Sequence, residues 1–140
     1  MRTIRTHFGD ERGQSLVEFA LSIFFLLLLV SGIVDLGRAF YTYMDLREAA
    51  QEGAAYGSVY PNYNDLIAKR VRDSSSTIED NSPNIVIAYD DPCAGNDIEV
   101  TVRIPDFPIT MPFLGTILGT QTISISASAT DRIITPVCSS

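Results

Sequence analysis

A chain of 140 residues suffices for one small domain and not for two. Its 17 acids against 10 bases give a net charge of −7, which argues against a nucleic-acid partner, because phosphates call for a basic face. One histidine, His7, and two cysteines without a C-x-x-C spacing exclude a zinc site built from those residue types.

The chain opens on a basic stretch. Residues 1–13 carry Arg2, Arg5 and Arg12 and have no apolar core. An uncharged run then extends from residue 19 to residue 34. Residues 14–34 have the length of about 20 residues that crosses a bilayer as a helix. The arginines before the run place the N-terminus in the cytoplasm and the C-terminus outside. A secretory signal peptide is the competing reading, with a small-residue cleavage site near Ser31-Gly32. Helical pattern continuing straight through that point favours the anchor.

From residue 35 to residue 57 the pattern becomes amphipathic. Leu36, Ala39, Phe40, Tyr43, Leu46, Ala50, Ala54 and Gly57 fall on one face at 100° per residue. Arg38, Asp45, Glu48 and Glu52 fall opposite, and Arg47 interrupts the apolar face. The two halves join into one helix of about 44 residues, roughly 66 Å long. Ala49, Gly53 and Gly57 recur every four positions and allow close approach. Tyr60-Pro61-Asn62 ends the helix.

Glu18 is the anomaly of the first segment. A carboxylate in the apolar zone of a bilayer is costly unless it is neutralised or paired. The next basic residue, Arg38, lies about 30 Å further along a helix, and Arg12 lies upstream. A cut between Gly13 and Gln14 would supply another cation, the new α-ammonium of Gln14. Positions i and i+4 are neighbours on a helix, so that ammonium can meet Glu18 of the same chain. It can also meet Glu18 of a neighbouring chain, and such a pair in apolar surroundings would set the register between subunits.

A basic leader, a glycine, and a glutamate at the fifth position of an apolar helix resemble a type IV pilin-like signal. The longer string "RGQSLVEFALSIFFLLLLVSGIVDLGRAFYTYMDLREAAQEGAAYG" resembles the TadE-like family more closely. The matching positions are Arg12-Gly13, Val17-Glu18-Phe19-Ala20-Leu21, Asp35-Leu36-Gly37-Arg38 and Ala49-Ala50. A later "PDFPITMPFLG…ISISASATDR" looks like that family's weaker C-terminal pattern. The resemblance implies a pilin or pseudopilin of the Tad tight-adherence system, a type IV-like pilus. It implies a leader at residues 1–13, processing by a prepilin peptidase between Gly13 and Gln14, and assembly through Glu18 and Phe19. Its implied partners are the peptidase, other pilin or pseudopilin subunits, an inner-membrane assembly platform, and membrane lipid before assembly. One departure stands out: TadE-like helices commonly carry a proline shortly after V-E-F-A-L, and this chain has Ser22-Ile23-Phe24 there. A straighter helix is expected.

The transmembrane half, residues 14–34, and the amphipathic half, residues 35–60, are followed by a small extracytoplasmic α+β domain at 61–140. "NYNDLIAKRVRDSSS" reads as a short helix over residues 64–73, with Asn64 as a possible cap. The serines at 74–76 read as linker. "NIVIAYD" is nearly all apolar and is expected to be covered on both faces. "IEVTVRI" turns Ile98, Val100, Val102 and Ile104 inward, and "TISISASAT" turns Ile123, Ile125, Ala127 and Ala129 inward. The result is a pilin-like α+β fold, a three-stranded antiparallel meander on the upper half of the long helix. The segment at 105–121 is too apolar for a free loop; it either folds over the sheet edge or forms a subunit contact. In a meander the end of the third strand returns beside the start of the second, so Cys93 and Cys138 can meet in a disulfide.

No His/Ser/Asp set exists after Gln14, so the chain reads as a non-enzyme without cofactor or metal. Asp90, Asp91, Asp97 and Glu99 cluster near one turn and offer oxygen ligands for Ca²⁺, although a solvated turn explains them as well. Two functions compete. One is a structural filament subunit serving adhesion or surface attachment, membrane-anchored before assembly and extracellular after it. The other is a signal-anchored extracytoplasmic binding protein that does not polymerise, and an anchor has no use for Glu18.

Overall fold

The computed structural model describes residues 11–75, 78, 82–112, 115–116, 119–136 and 138. The leader thus lies outside the described residues up to residue 10. Helix α1 spans Glu11–Val59 and runs unbroken for 49 residues, about 73 Å at 1.5 Å per residue. No proline interrupts it, and the helical hydrogen bonding continues through residues 22–24 without a break. Helix α2 spans Asn64–Asp73. Its cap is Tyr63, which makes no side-chain cap bond, so Asn64 is its first helical residue rather than its cap.

Strands β1 (Asn84–Tyr89), β2 (Asp97–Pro108) and β3 (Thr122–Arg132) form an antiparallel sheet in the order β1-β2-β3. This is the meander expected, and the fold is α+β. Strands β2 and β3 lie against α1, and α2 packs alongside the same helix. Val100, Val102 and Ile98 are fully buried, as period-2 alternation requires. The alternation would next bury Asp106. A register shift between Ile104 and Phe107 adds one residue to β2, so Phe107 is buried and Asp106 faces solvent. Pro105 sits within that bulge, where no ladder N–H is needed.

Strand β1 differs from expectation. Ile85, Ile87 and Tyr89 are partly buried, while Asn84, Val86 and Ala88 are exposed. It is an edge strand covered on one face, because the helix lies under β2 and β3. An all-apolar run does not distinguish that case from a strand covered on both faces. At the other edge, Ile123, expected to turn inward, is exposed, since it pairs with Phe107 beyond the bulge.

The buried face of α1 is also rotated from the expected one. Leu46, Ala50, Ala54 and Gly57 are buried as anticipated, but Leu36 is 72% and Phe40 65% exposed, and Tyr43 is exposed too. The covered stripe instead contains Asp35, Thr42, Ala49, Gly53 and Ser58, and Arg47 is in solvent. Small residues decide the matter, because they let the sheet and α2 approach the helix axis. A Cβ on Gly53 would lie 2.5 Å from Val71 Cγ2, and one on Gly57 2.6 Å from Ile98 Cδ1. Gly53→Ala is therefore expected to destabilise the domain by about 1 kcal/mol, since overpacking costs roughly 1–3 and helix propensity returns about 1. Gly37→Ala, whose Cβ would meet nothing within 4 Å, is expected to stabilise by up to about 1 kcal/mol. Urea midpoints of both variants check this pair; a more stable Gly53→Ala would show that Val71 yields freely.

The chain after β3 closes the far end of α1. Ile134 N–H donates to Ser58 O at 2.9 Å, and Thr135 Oγ1 donates to Val59 O at 2.6 Å. These bonds satisfy carbonyls that a helix C-terminus leaves without partners. The same segment is tied to the β1–β2 turn: Ala94 N–H donates to Pro136 O, Gly95 N–H to Ile133 O, and Ile133 N–H to Asn96 O. Gly95 takes φ +103 in that turn, where a side chain would be strained. Cys93 and Cys138 are joined in a disulfide with a Cα–Cα separation of 5.4 Å, as the meander topology led us to expect.

Candidate functional site

Two regions carry the residues singled out by the sequence. The first is the free half of α1. Gly13, Gln14, Val17, Glu18 and Leu21 line one shallow open groove on the helix, because positions 14, 18 and 21 share a face. Gln14, Glu18 and Phe19 are all exposed, as are Leu16, Val17, Phe24, Phe25, Leu26, Leu27 and Leu29. None of the most apolar window of this helix is covered by the rest of the described chain, and the helix is long and apolar enough to cross a membrane. Ser22 Oγ donates to the backbone carbonyl of Glu18 at 2.9 Å, leaving the Glu18 carboxylate available. Among the described side chains no salt bridge reaches Glu18.

The second region lies one residue past the uncharged run. Asp35 is only 6% exposed. Its Oδ1 accepts a hydrogen bond from Thr110 Oγ1 at 2.5 Å, and its Oδ2 accepts one from Met111 N–H at 2.6 Å. Arg38 Nη1 approaches the same carboxylate at 3.4 Å, and its guanidinium also lies over the Phe107 ring, 5.4 Å from the centroid. The Thr110 hydroxyl, the Thr110 and Met111 backbone groups and the Arg38 charge hold the Asp35 carboxyl below its ordinary value of 3.8, against the opposing effect of burial. It is an anion at neutral pH, clamping the β2–β3 connection to the helix. The described part of the 105–121 segment therefore does not fold over the sheet edge. Ile109 N–H donates to Gln121 O at 2.9 Å, so the hairpin continues past the sheet and reaches down α1.

Sequence reasoning noted Asp35 only as part of a family pattern, placed Arg38 on the polar face of the helix, and missed the clamp. The available signal was an acid directly after an apolar run, with a base at i+3, in a chain that also holds an uncharged segment near residue 110.

The acidic turn is less informative. Asp97 and Glu99 stand on the exposed side of β2, with Asp97 opposite Arg132 in the ladder. Asp91 lies near Cys93 and Cys138, but those sulfurs are oxidised and supply no thiolate ligand. This trio does not fit a metal centre.

A long helix with a bare apolar half, and a small α+β domain clasped to its other half, fits a single-pass membrane anchor that carries a small domain. Residues 13–55 match the model of the family described as TadE-like protein, which bears out the resemblance over that part of the chain. No curated protein and no solved structure matches it significantly. The match covers Gly13, Gln14, Glu18, Phe19 and Asp35-Leu36-Gly37-Arg38 and stops short of the sheet.

Proposed function

We propose that the chain is a structural subunit, a pilin or minor pseudopilin, of a Tad or type IV-like pilus that serves surface attachment. A prepilin peptidase cuts between Gly13 and Gln14 on the cytoplasmic side. Residues 14–34 span the membrane until assembly and then enter the shaft of the filament, while the acidic domain forms its skin. The assembly platform and other subunits are the partners of the exposed helix. The observation that carries this reading is a bare apolar helix half holding one carboxylate, Glu18, four residues after the residue that would become the N-terminus. A lipid anchor alone gains nothing from a carboxylate there, whereas a stack of like helices gains a device for register.

Mass spectrometry of the membrane or filament form tests the proposal. The expected mature chain begins at Gln14, read with N-terminal methylation and cyclisation both in mind. A start at Met1 or beyond Ser31 would contradict it. A cyclised Gln14 would remove the ammonium and count against the pairing with Glu18.

A further inference from the structure

The clamp at Asp35 places a second apolar element at the membrane boundary. A Cβ built on Gly32 would lie 3.6 Å from Met111 Sδ, so Met111 packs against the last turn of the uncharged run. Gly32 stands about 3 Å along the axis below Val34, where that run ends. In a bilayer spanned by residues 14–34, Thr110 and Met111 would therefore stand at the depth at which the helix leaves it. Residues 107–130 contain no charged side chain, in a chain of net charge −7. Pro112 and Thr110 are exposed at this tip, and Ile109 and Met111 are half-buried. The clamp itself supplies charges beside this segment, and Arg38 remains 44% exposed there.

We propose that the tip of the β2–β3 connection, around Ile109, Met111 and Pro112, rests in the outer interface of the bilayer before assembly, held there by Asp35. The occupant is lipid, for a physical reason. The tip is continuous with the bare face of α1, and any bilayer spanned by residues 14–34 must surround both. A polar or charged tip at this height would resist the contact; an uncharged one carrying Ile, Met and Pro enters the headgroup region as interfacial segments do, to a depth of about 5–10 Å. The contact would fix the tilt and rotation of the domain over the membrane, which a single spanning helix by itself leaves free. This inference rests on the membrane reading of α1.

The chain has no tryptophan, so one introduced indole reports its own surroundings. Full-length Pro112→Trp, Phe24→Trp and Tyr63→Trp would each be reconstituted in phosphatidylcholine–phosphatidylglycerol vesicles, with acyl chains brominated either near the headgroup or near the chain end. Phe24→Trp tests the membrane reading alone: without quenching, that reading fails and this one with it. With Phe24→Trp quenched, Pro112→Trp is expected to lose more of its emission to the shallow bromines than to the deep ones, as its place at the headgroup boundary requires. Tyr63→Trp, in the domain far from the clamp, is expected to stay bright. Ile109→Trp is the second reporter should Pro112→Trp fail to fold. Quenching confined to Phe24→Trp overturns the proposal, and so does tip quenching that disappears when protein is diluted in lipid, since that reports contact with another copy. Asp35→Ala is expected to reduce quenching at the tip and leave Phe24→Trp unchanged. Unchanged tip quenching in that background would overturn the role of the clamp.

Discussion

Glu18→Ala is expected to leave membrane insertion and cleavage intact and to cut incorporation into sheared or detergent-resistant assemblies by roughly tenfold or more, since one charge left unpaired in apolar surroundings costs several kcal/mol. Insertion improves if anything, because the substitution removes a carboxylate from an apolar segment. The side chain is exposed, and nothing in the described fold leans on it, so the monomer should be as stable as before. Cleavage, on the proposed reading, is expected to depend on Gly13 at the junction more than on Glu18. On the proposed reading, what disappears is the acid that would neutralise the new Gln14 ammonium among packed helices. Such helices would still associate through van der Waals contact, but without a charged pair to fix their stagger. Glu18→Gln should behave in the same way, because it keeps the shape and loses the charge. Quantifying mature protein in membrane and sheared fractions decides the point. If both variants assemble like wild type, Glu18 does not set the register, and the non-polymerising binding protein becomes the better reading.

The second large effect is on stability. Replacing Cys93 and Cys138 together by serine opens a closure between residues 45 apart in sequence, which is expected to lower stability by about 3–4 kcal/mol in a chain-entropy account. For a domain of this size that is a large share of the total. The structure also says where the loss should appear first. The disulfide holds the 133–136 segment against both the β1–β2 turn and the last carbonyls of α1. Without it, the amides of Ala94, Gly95 and Ile134, which donate the bonds of that junction, should lose protection from hydrogen exchange before those of β2. A urea titration of the full chain in detergent, with exchange followed by mass spectrometry, checks both statements. An unchanged midpoint would show that the hydrogen bonds at the junction suffice.

The elements and their order were legible in the sequence because they rest on local periodicity. The alternation of Ile98, Val100, Val102 and Ile104 specified the buried face of β2, and α2 was placed at 64–73 from its Asn, which proved to be the first helical residue rather than the cap. The apolar run, Gly13 and Glu18 identified the free half of α1 without any tertiary information, since a charge in an apolar helix is conspicuous on its own. The meander brought Cys93 and Cys138 together because hairpin order alone sets which strand ends meet. Other features depended on contacts that no local pattern contains. Helix α1 carries apolar residues on more than one stripe, and hydropathy does not say which stripe the sheet covers; close approach at Gly53 and Gly57 chose the small one and left Leu36 and Phe40 outside. The bulge at Pro105 moved burial from residue 106 to Phe107, against strict alternation. The Asp35 clamp joins partners 75 and 76 positions apart. A carboxylate beside an apolar run has no preferred partner until the β2–β3 connection folds down and presents a hydroxyl and a backbone N–H within hydrogen-bond reach.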